Sequence, residues 1–274
     1  MEAEAERAFA AGRYAEAAER FSSAIDAENE FLGRYRDVRD TAFGRAEQLG
    51  IRRETAVSGL LWEEVRRHQA GAEAAEAKAD WTGAARAWQD AVDAFARLLT
   101  AHPRSQFADR AKEAVMATRL NFARFHDDIV RVRADAGRLR QALRARQVDD
   151  ALRLAESVLA DARRLADAGT GVFRPDDEER QELEFIASRG ATIRGYLPEA
   201  DRQLLPVKGL AVRMYRTEIP QGLYAALMDS NPSALRREAN PVESVAYADA
   251  ELFARRLGWI LGARARLPTV AEHT

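Results

Sequence analysis

Cysteine is absent from the 274 residues, which excludes disulfides, thiolate metal sites and a cysteine nucleophile within them. Proline is scarce: up to residue 200 only Pro103, Pro175 and Pro198 occur, so little in this stretch interrupts helices. No apolar run is long enough to cross a bilayer. The start, Met1 to Arg7, is acidic and lacks the apolar centre of a secretory signal, so a cytoplasmic location and no membrane partner are the expectations. Neither charge dominates: 42 Lys and Arg face 44 Asp and Glu, a formal net charge of -2. That balance gives no global electrostatic reason to expect nucleic acid as a partner. With 47% hydrophobic and 31% charged residues, the chain reads as globular and long enough for two domains.

What is present up to residue 200 is alanine, arginine, leucine and glutamate, the composition of packed helices, and it repeats. Ala8, Gly12, Tyr14, Ala17, Phe21, Ala24 and Ile25 recur as Ala75, Ala79, Trp81, Ala84, Trp88, Ala91 and Val92. They recur more faintly as Ala142, Arg146, Val148, Ala151, Ala155, Val158 and Leu159. Both offsets are 67 residues. Each copy resembles a tetratricopeptide-type turn, with a small residue at the helix crossing and an aromatic just after it. The period, however, is nearly twice the roughly 34 residues of that family.

The longer unit is explained by Ser105 to Arg146. Thr118, Phe125, Val132 and Leu139 fall seven apart, as do Phe122, Ile129, Ala136 and Leu143, predicting a 4-3 apolar seam interrupted only by Gly137. As one helix it is on the order of 60 Å long. Shorter helices are expected at Trp81 to Ala101 and Val148 to Ala168, a first long helix at Leu32 to Ala79 with a break near Gly50, and a closing helix at Asp176 to Tyr196. Two arrangements use these facts: a spectrin-like array in which each long helix serves two successive bundles, and a tetratricopeptide-like superhelix. Both are elongated and mostly α, either as a helical-repeat array or as an antiparallel helical-bundle array, over residues 1–200.

Breaks at Gly195 to Pro198 and at Leu205-Pro206 place a domain boundary between about 197 and 208, followed by a first strand over Val207 to Tyr215. Pro220 should end a strand and start a helix carrying Tyr224, Leu227 and Met228. Asn231-Pro232-Ser233 is a turn in which the asparagine side chain bonds the backbone ahead. Pro241 to Val245 alternates like a short half-buried strand. Ser244 precedes a helix over Tyr247 to Leu261, with Ala250, Phe253, Ala254, Leu257 and Leu261 on one face and Gly262 as its stop.

This succession, Glu218 to Tyr224, Asn231-Pro232-Ser233, Pro241-Val242-Glu243-Ser244-Val245 with Asp249-Ala250, then Arg266-Leu267-Pro268-Thr269 with Ala271-Glu272, resembles the N-terminal part of the sulfatase-modifying-factor, or formylglycine-generating-enzyme, family. The resemblance covers about residues 207–274 and implies a truncated α+β domain of C-type-lectin-like fold. The departures are Pro220 for threonine, Ala254 for cysteine, Tyr247 for tryptophan, and Val270 and His273 for glutamate and tryptophan. Catalytic members oxidise a cysteine to formylglycine with copper and oxygen. Their cysteine pair and calcium ligands lie beyond the matched part, so no catalytic, cofactor-binding or metal-binding residue carries over, and copper and calcium belong to the intact domain.

Residues with chemical potential have plainer readings. His68, His102, His126 and His273 are dispersed and carry no metal-ligand spacing. Trp62, Trp81 and Trp88 fall on helical faces as packing residues. Arg131, Arg133, Arg138, Arg140, Arg144 and Arg146 make a basic half-helix, solvated or paired with acidic residues such as Asp149, Asp150 and Glu156. Gly169-Thr170-Gly171 reads as a connector. The expected function is binding or signalling: a helical array that receives protein partners, followed by a non-catalytic ligand-binding domain. The alternative is an oxidase of the same family whose working parts follow residue 274. As a fragment, the last segment should leave Val242, Val245, Phe253 and Trp259 uncovered, and proteolysis should leave a resistant core ending near residue 200.

Overall fold

The computed structural model describes residues 1–35, 39–169 and 174–273, with the side chains of 39–43 and 273 outside that description. The connector expected at Gly169-Thr170-Gly171 falls largely outside it. Helices dominate in order: α1 (Glu2–Ala10), α2 (Tyr14–Arg34), α3 (Arg39–Glu76), α4 (Trp81–Ala101), α5 (Arg110–Arg144), α6 (Val148–Ala168), α7 (Asp177–Ser188) and α8 (Gly190–Tyr196). A 3-10 turn (Leu197–Glu199) and α9 (Ala200–Gln203) lead to β1 (Leu204–Pro206) and β2 (Arg213–Tyr215). Then come α10 (Gln221–Met228), α11 (Tyr247–Leu261) and α12 (Val270–His273). The chain divides into two compact units, Met1–Asp127 and Asp128–Thr274.

The three turns that open α2, α4 and α6 are built alike. Gly12, Ala79 and Arg146 take φ of 73, 55 and 60°, and the next residue donates its N–H back to a helical carbonyl: Arg13 to Ala8 at 2.9 Å, Asp80 to Ala75 at 3.0 Å, Gln147 to Ala142 at 2.9 Å. This is the six-to-one closure of a Schellman turn. Each following helix has 21 residues. The 67-residue offset also holds on the long helices. Leu49, Met116 and Leu183 are all buried, and α5 and α7 both begin just after an aspartate, Asp109 or Asp176, whose side chain accepts a backbone N–H.

Within the first unit α3 lines two cores. Its first half, through Leu49 and Ala56, meets Ala5, Ala8, Ala17 and Phe21. Its second half, through Val65 and Ala72, meets Trp88, Phe95, Leu98 and the α5 residues Met116 and Leu120. Some expectations are corrected here. Leu32 belongs to α2, and α3 runs through Gly50 without a break. The α5 seam is buried as expected from Ile129 to Leu143, but towards the N-terminus Thr118 and Phe122 are exposed while Met116, Leu120 and Ala123 are buried. A 3.6-residue helix drifts off a 3.5-residue stripe, and composition fills the new face with apolar residues.

In the second unit the closing helix breaks at Arg189, giving α7 and α8. The strand expected over Val207 to Tyr215 is a hairpin: Gly209 at φ 83° reverses the chain, and Leu204, Leu205 and Pro206 pair antiparallel with Tyr215, Met214 and Arg213. Pro241 to Val245 makes only a single bridge, Pro220 to Pro241. Ser244 takes φ 60° and Ala246 is the N-cap of α11. Among the described residues the two-stranded hairpin is the whole sheet; the structure shows a mostly helical protein.

The last segment is covered in part by its own chain: Val242 and Val245 are half-buried and Tyr247 and Val270 are exposed, but α11 packs its apolar face. Phe253 is 5% and Trp259 9% exposed, against the expectation that both would be bare. Phe253 stacks on Tyr224 at 5.3 Å and Trp259 packs on Phe185 of α7 at 5.6 Å. Phe185 and Ile186 are buried, whereas the residues 67 positions earlier are Thr118 and Arg119, both exposed. The third copy has therefore exchanged a polar outer face for an apolar one, and α11 occupies it.

Candidate functional site

Two places in the second unit gather side chains that the fold positions closely. The first is the C-terminal loop cluster. Gln221, 2% exposed, opens α10, and its amide uses its full capacity. Nε2 donates to the carbonyls of Leu235 at 3.0 Å and Pro241 at 3.1 Å, while Oε1 accepts from Asn231 Nδ2 at 2.9 Å and Arg237 N at 3.0 Å. Asn231 Oδ1 accepts from Ser233 N at 3.1 Å, the turn the sequence predicts, and Ser233 Oγ accepts from Glu243 N at 3.1 Å. The stretches around Gln221, Asn231 and Pro241 are thus tied to one another by one glutamine. Arg266 grips Glu272 through two nitrogens at 2.7 and 2.6 Å, and Glu272 also caps Thr269 N at 2.9 Å. The arginine hydrogen bond, then the backbone one, hold the Glu272 carboxyl down at about 2.

Ion pairs fasten this cluster to the helices. Arg189 Nη1 donates to Asp229 Oδ1 at 2.8 Å and holds that carboxyl below its ordinary range. Arg256 reaches the Leu227 carbonyl at 2.7 Å and lies 5.0 Å over Phe185. Arg144 donates to the Gly262 carbonyl. Of the basic half-helix, Arg140 binds Glu182 at 2.6 Å, Arg146 binds Asp201 at 3.1 Å and Arg138 binds Asp135 at 3.1 Å. Pairing is as expected, but the partners are not Asp149, Asp150 and Glu156: Asp149 is held by Arg194 at 2.6 Å and Asp150 by Arg153.

The second place is an open groove of about 740 Å³ where α5 turns into α6. Ala142, Ala145 and Leu154 give it apolar lining, and Arg138, Gln147, Asp150 and Arg153 give it polar and charged lining. In the first copy the matching positions are bridged: Arg20, where Leu154 stands in the third, binds Glu4, where Arg138 stands, at 2.9 Å. Sequence reasoning missed the groove. The signal was the replacement of an arginine and a glutamate by Leu154 and Arg138 at fixed repeat positions.

The remaining singled-out residues lie elsewhere. Trp88 donates to Glu76 at 2.7 Å, and Trp62 lies between Phe95 and Phe107, with Lys112 4.6 Å from its ring. His68 faces Glu64 at 3.8 Å and His102 faces Glu54 at 3.5 Å. Trp81 stacks on His126. The side chain of His273 is outside the described residues. Among the described residues no group of three or more His, Asp or Glu side chains is placed to hold a metal ion, and no helix is long and apolar enough to cross a membrane. No family model, curated protein or solved structure matches this chain.

Proposed function

We propose that the protein is a binding scaffold for a protein partner, with its C-terminal segment acting as a ligand-binding module that performs no chemistry. In this reading the helical array covers residues 1–200 in copies of about 67 residues, and residues 207–274 are the opening of a C-type-lectin-like domain of the sulfatase-modifying-factor type. The observation that carries the reading is the groove at the third turn. It pairs an apolar lining with arginines that, among the described residues, form ion pairs with local partners, Asp135 and Asp150. Exposed ion pairs three residues apart contribute a few tenths of a kcal/mol, so these arginines are free to turn to a partner's carboxylates at little cost.

Supporting it, the polar residues of the loop cluster are engaged in holding loops: Gln221, Asn231, Ser233 and Glu243 bond one another or the backbone. The test rebuilds the first copy's bridge in the third. In the double variant Arg138→Glu with Leu154→Arg, a glutamate–arginine pair crosses the groove as Glu4 and Arg20 do. A partner identified by cross-linking to the full chain should lose at least about tenfold in affinity, with helicity and melting temperature kept. Undiminished binding would remove the groove from the account. Copper-dependent oxygen uptake by this chain with a cysteine peptide would overturn the non-catalytic part.

A further inference from the structure

The position 67 residues apart in each copy where the first residue of the short helix meets the long helix is filled differently each time. In the first copy Tyr14 lies on Gly59, whose missing Cβ would come within 2.5 Å of the ring. In the third the residues are Val148 and Ile193. In the middle copy Trp81 stacks on His126, with centroids 4.2 Å apart and planes 21° apart. Phe122 leans against the same ring at 4.4 Å with its plane tilted by 59° and meets Trp81 edge-on at 5.8 Å, and Phe125 meets the imidazole edge-on at 5.9 Å. His126 Nε2 is buried with no hydrogen-bond partner. Among the three copies, this one places an imidazole at the crossing.

We propose that the Trp81–His126 stack, with Phe122 leaning on it, is a proton-sensitive latch, closed when the imidazole is neutral and released on protonation, loosening the middle hairpin alone. Protonation would put a charge against three aromatic rings, where attraction to the Trp81 face offsets part of the desolvation cost, and would leave an Nε2–H with no acceptor. Trp81 and Thr82 are also the first two residues of α4, whose amino end carries the positive pole of the helix dipole and repels an imidazolium. The carboxylates on the neighbouring elements are hydrogen-bonded to other groups. Glu76 at the end of α3 accepts from Trp88 and faces Arg119 at 3.7 Å. Asp127, next along α5, accepts from Thr82 Oγ1 at 2.6 Å. Asp80, the N-cap of α4, accepts from Gly83 N at 2.9 Å. Burial holds the imidazole below its ordinary value against a weaker upward pull from Glu76. Because the folded value is depressed, the unfolded chain binds more protons as pH falls below about 6.5, and the latch's contribution is present above that value and lost below it.

The experiment is backbone hydrogen exchange on the full chain near pH 7.5 and near pH 5, corrected for intrinsic rates, comparing residues 78–90 with 11–23 and 145–157. The expected result is exchange at least about threefold faster in the middle stretch at the lower pH, with the other two unchanged. The same comparison on His126→Phe, which keeps a stacked ring without a titrating nitrogen, should show no pH effect. Equal changes in all three stretches of the natural chain would overturn the latch without reference to any variant. So would a pH response in the middle stretch that survives His126→Phe.

Discussion

At Ala79 and Arg146 the backbone enters the left-handed region, φ 55 and 60°, where a Cβ costs about 1–2 kcal/mol; at the same place in the first copy stands Gly12. Ala79→Gly should therefore stabilise the protein by about 0.5–1 kcal/mol after the added freedom of the unfolded chain is subtracted, read from the denaturant midpoint. A fall in the midpoint would mean that the three turns are not equivalent. Gly262 is the opposite case. Its φ is 63° and an added Cβ would run into the Arg140 carbonyl, so Gly262→Ala should destabilise the segment by more than the usual left-handed cost. Gln221→Leu strands the Leu235 and Pro241 carbonyls and the Arg237 N–H, and should cost about 2–3 kcal/mol. Tyr196 illustrates linkage with the reverse sign. Its burial, and then Tyr215, raise its phenol far above the ordinary value. Its stabilising share is therefore complete below about pH 10 and lost as pH climbs through the folded value. In a spectrophotometric titration Tyr196→Phe should delete the most alkali-resistant tyrosine; an unchanged curve would assign that resistance elsewhere.

At the scale of elements, α4, α6 and α11 were legible to the residue, because each has a turn signal at one end and a continuous apolar face. The repeat was legible because the same small and aromatic residues recur at the Schellman turns. What stayed hidden depended on contacts distant in sequence. Thr118 and Phe122 fit the heptad, yet they are exposed because α5 turns a different stripe, Met116, Leu120 and Ala123, toward α3 and α4. Pro241 to Val245 alternates like a strand, but the Gln221 amide takes the Pro241 carbonyl and a sheet ladder has no place there. Phe185 and Ile186 mark the α11 contact in the sequence: two apolar residues stand where the previous copy has Thr118 and Arg119. Phe185→Ala should cost about 3–5 kcal/mol and red-shift Trp259 emission. Emission that stays unchanged would mean α11 is held by other contacts alone.

At the scale of the molecule, the C-terminal segment is part of one body with the third helical copy, joined through Trp259 on Phe185, Arg189 with Asp229, and Arg144 with Gly262. Three separate contacts of apolar, ionic and backbone type bind the segment more firmly than a tether would. The groove of the same unit then lies on a surface whose stability depends on that segment, so binding and C-terminal integrity should fail together in Phe185→Ala. The most direct measurement is limited proteolysis of the chain with mass spectrometry of the surviving fragments. The account predicts that residues from α6 to Gly262 survive together, with no early cut between 197 and 208. A resistant fragment ending near residue 200, with 208–274 degraded first, would contradict it.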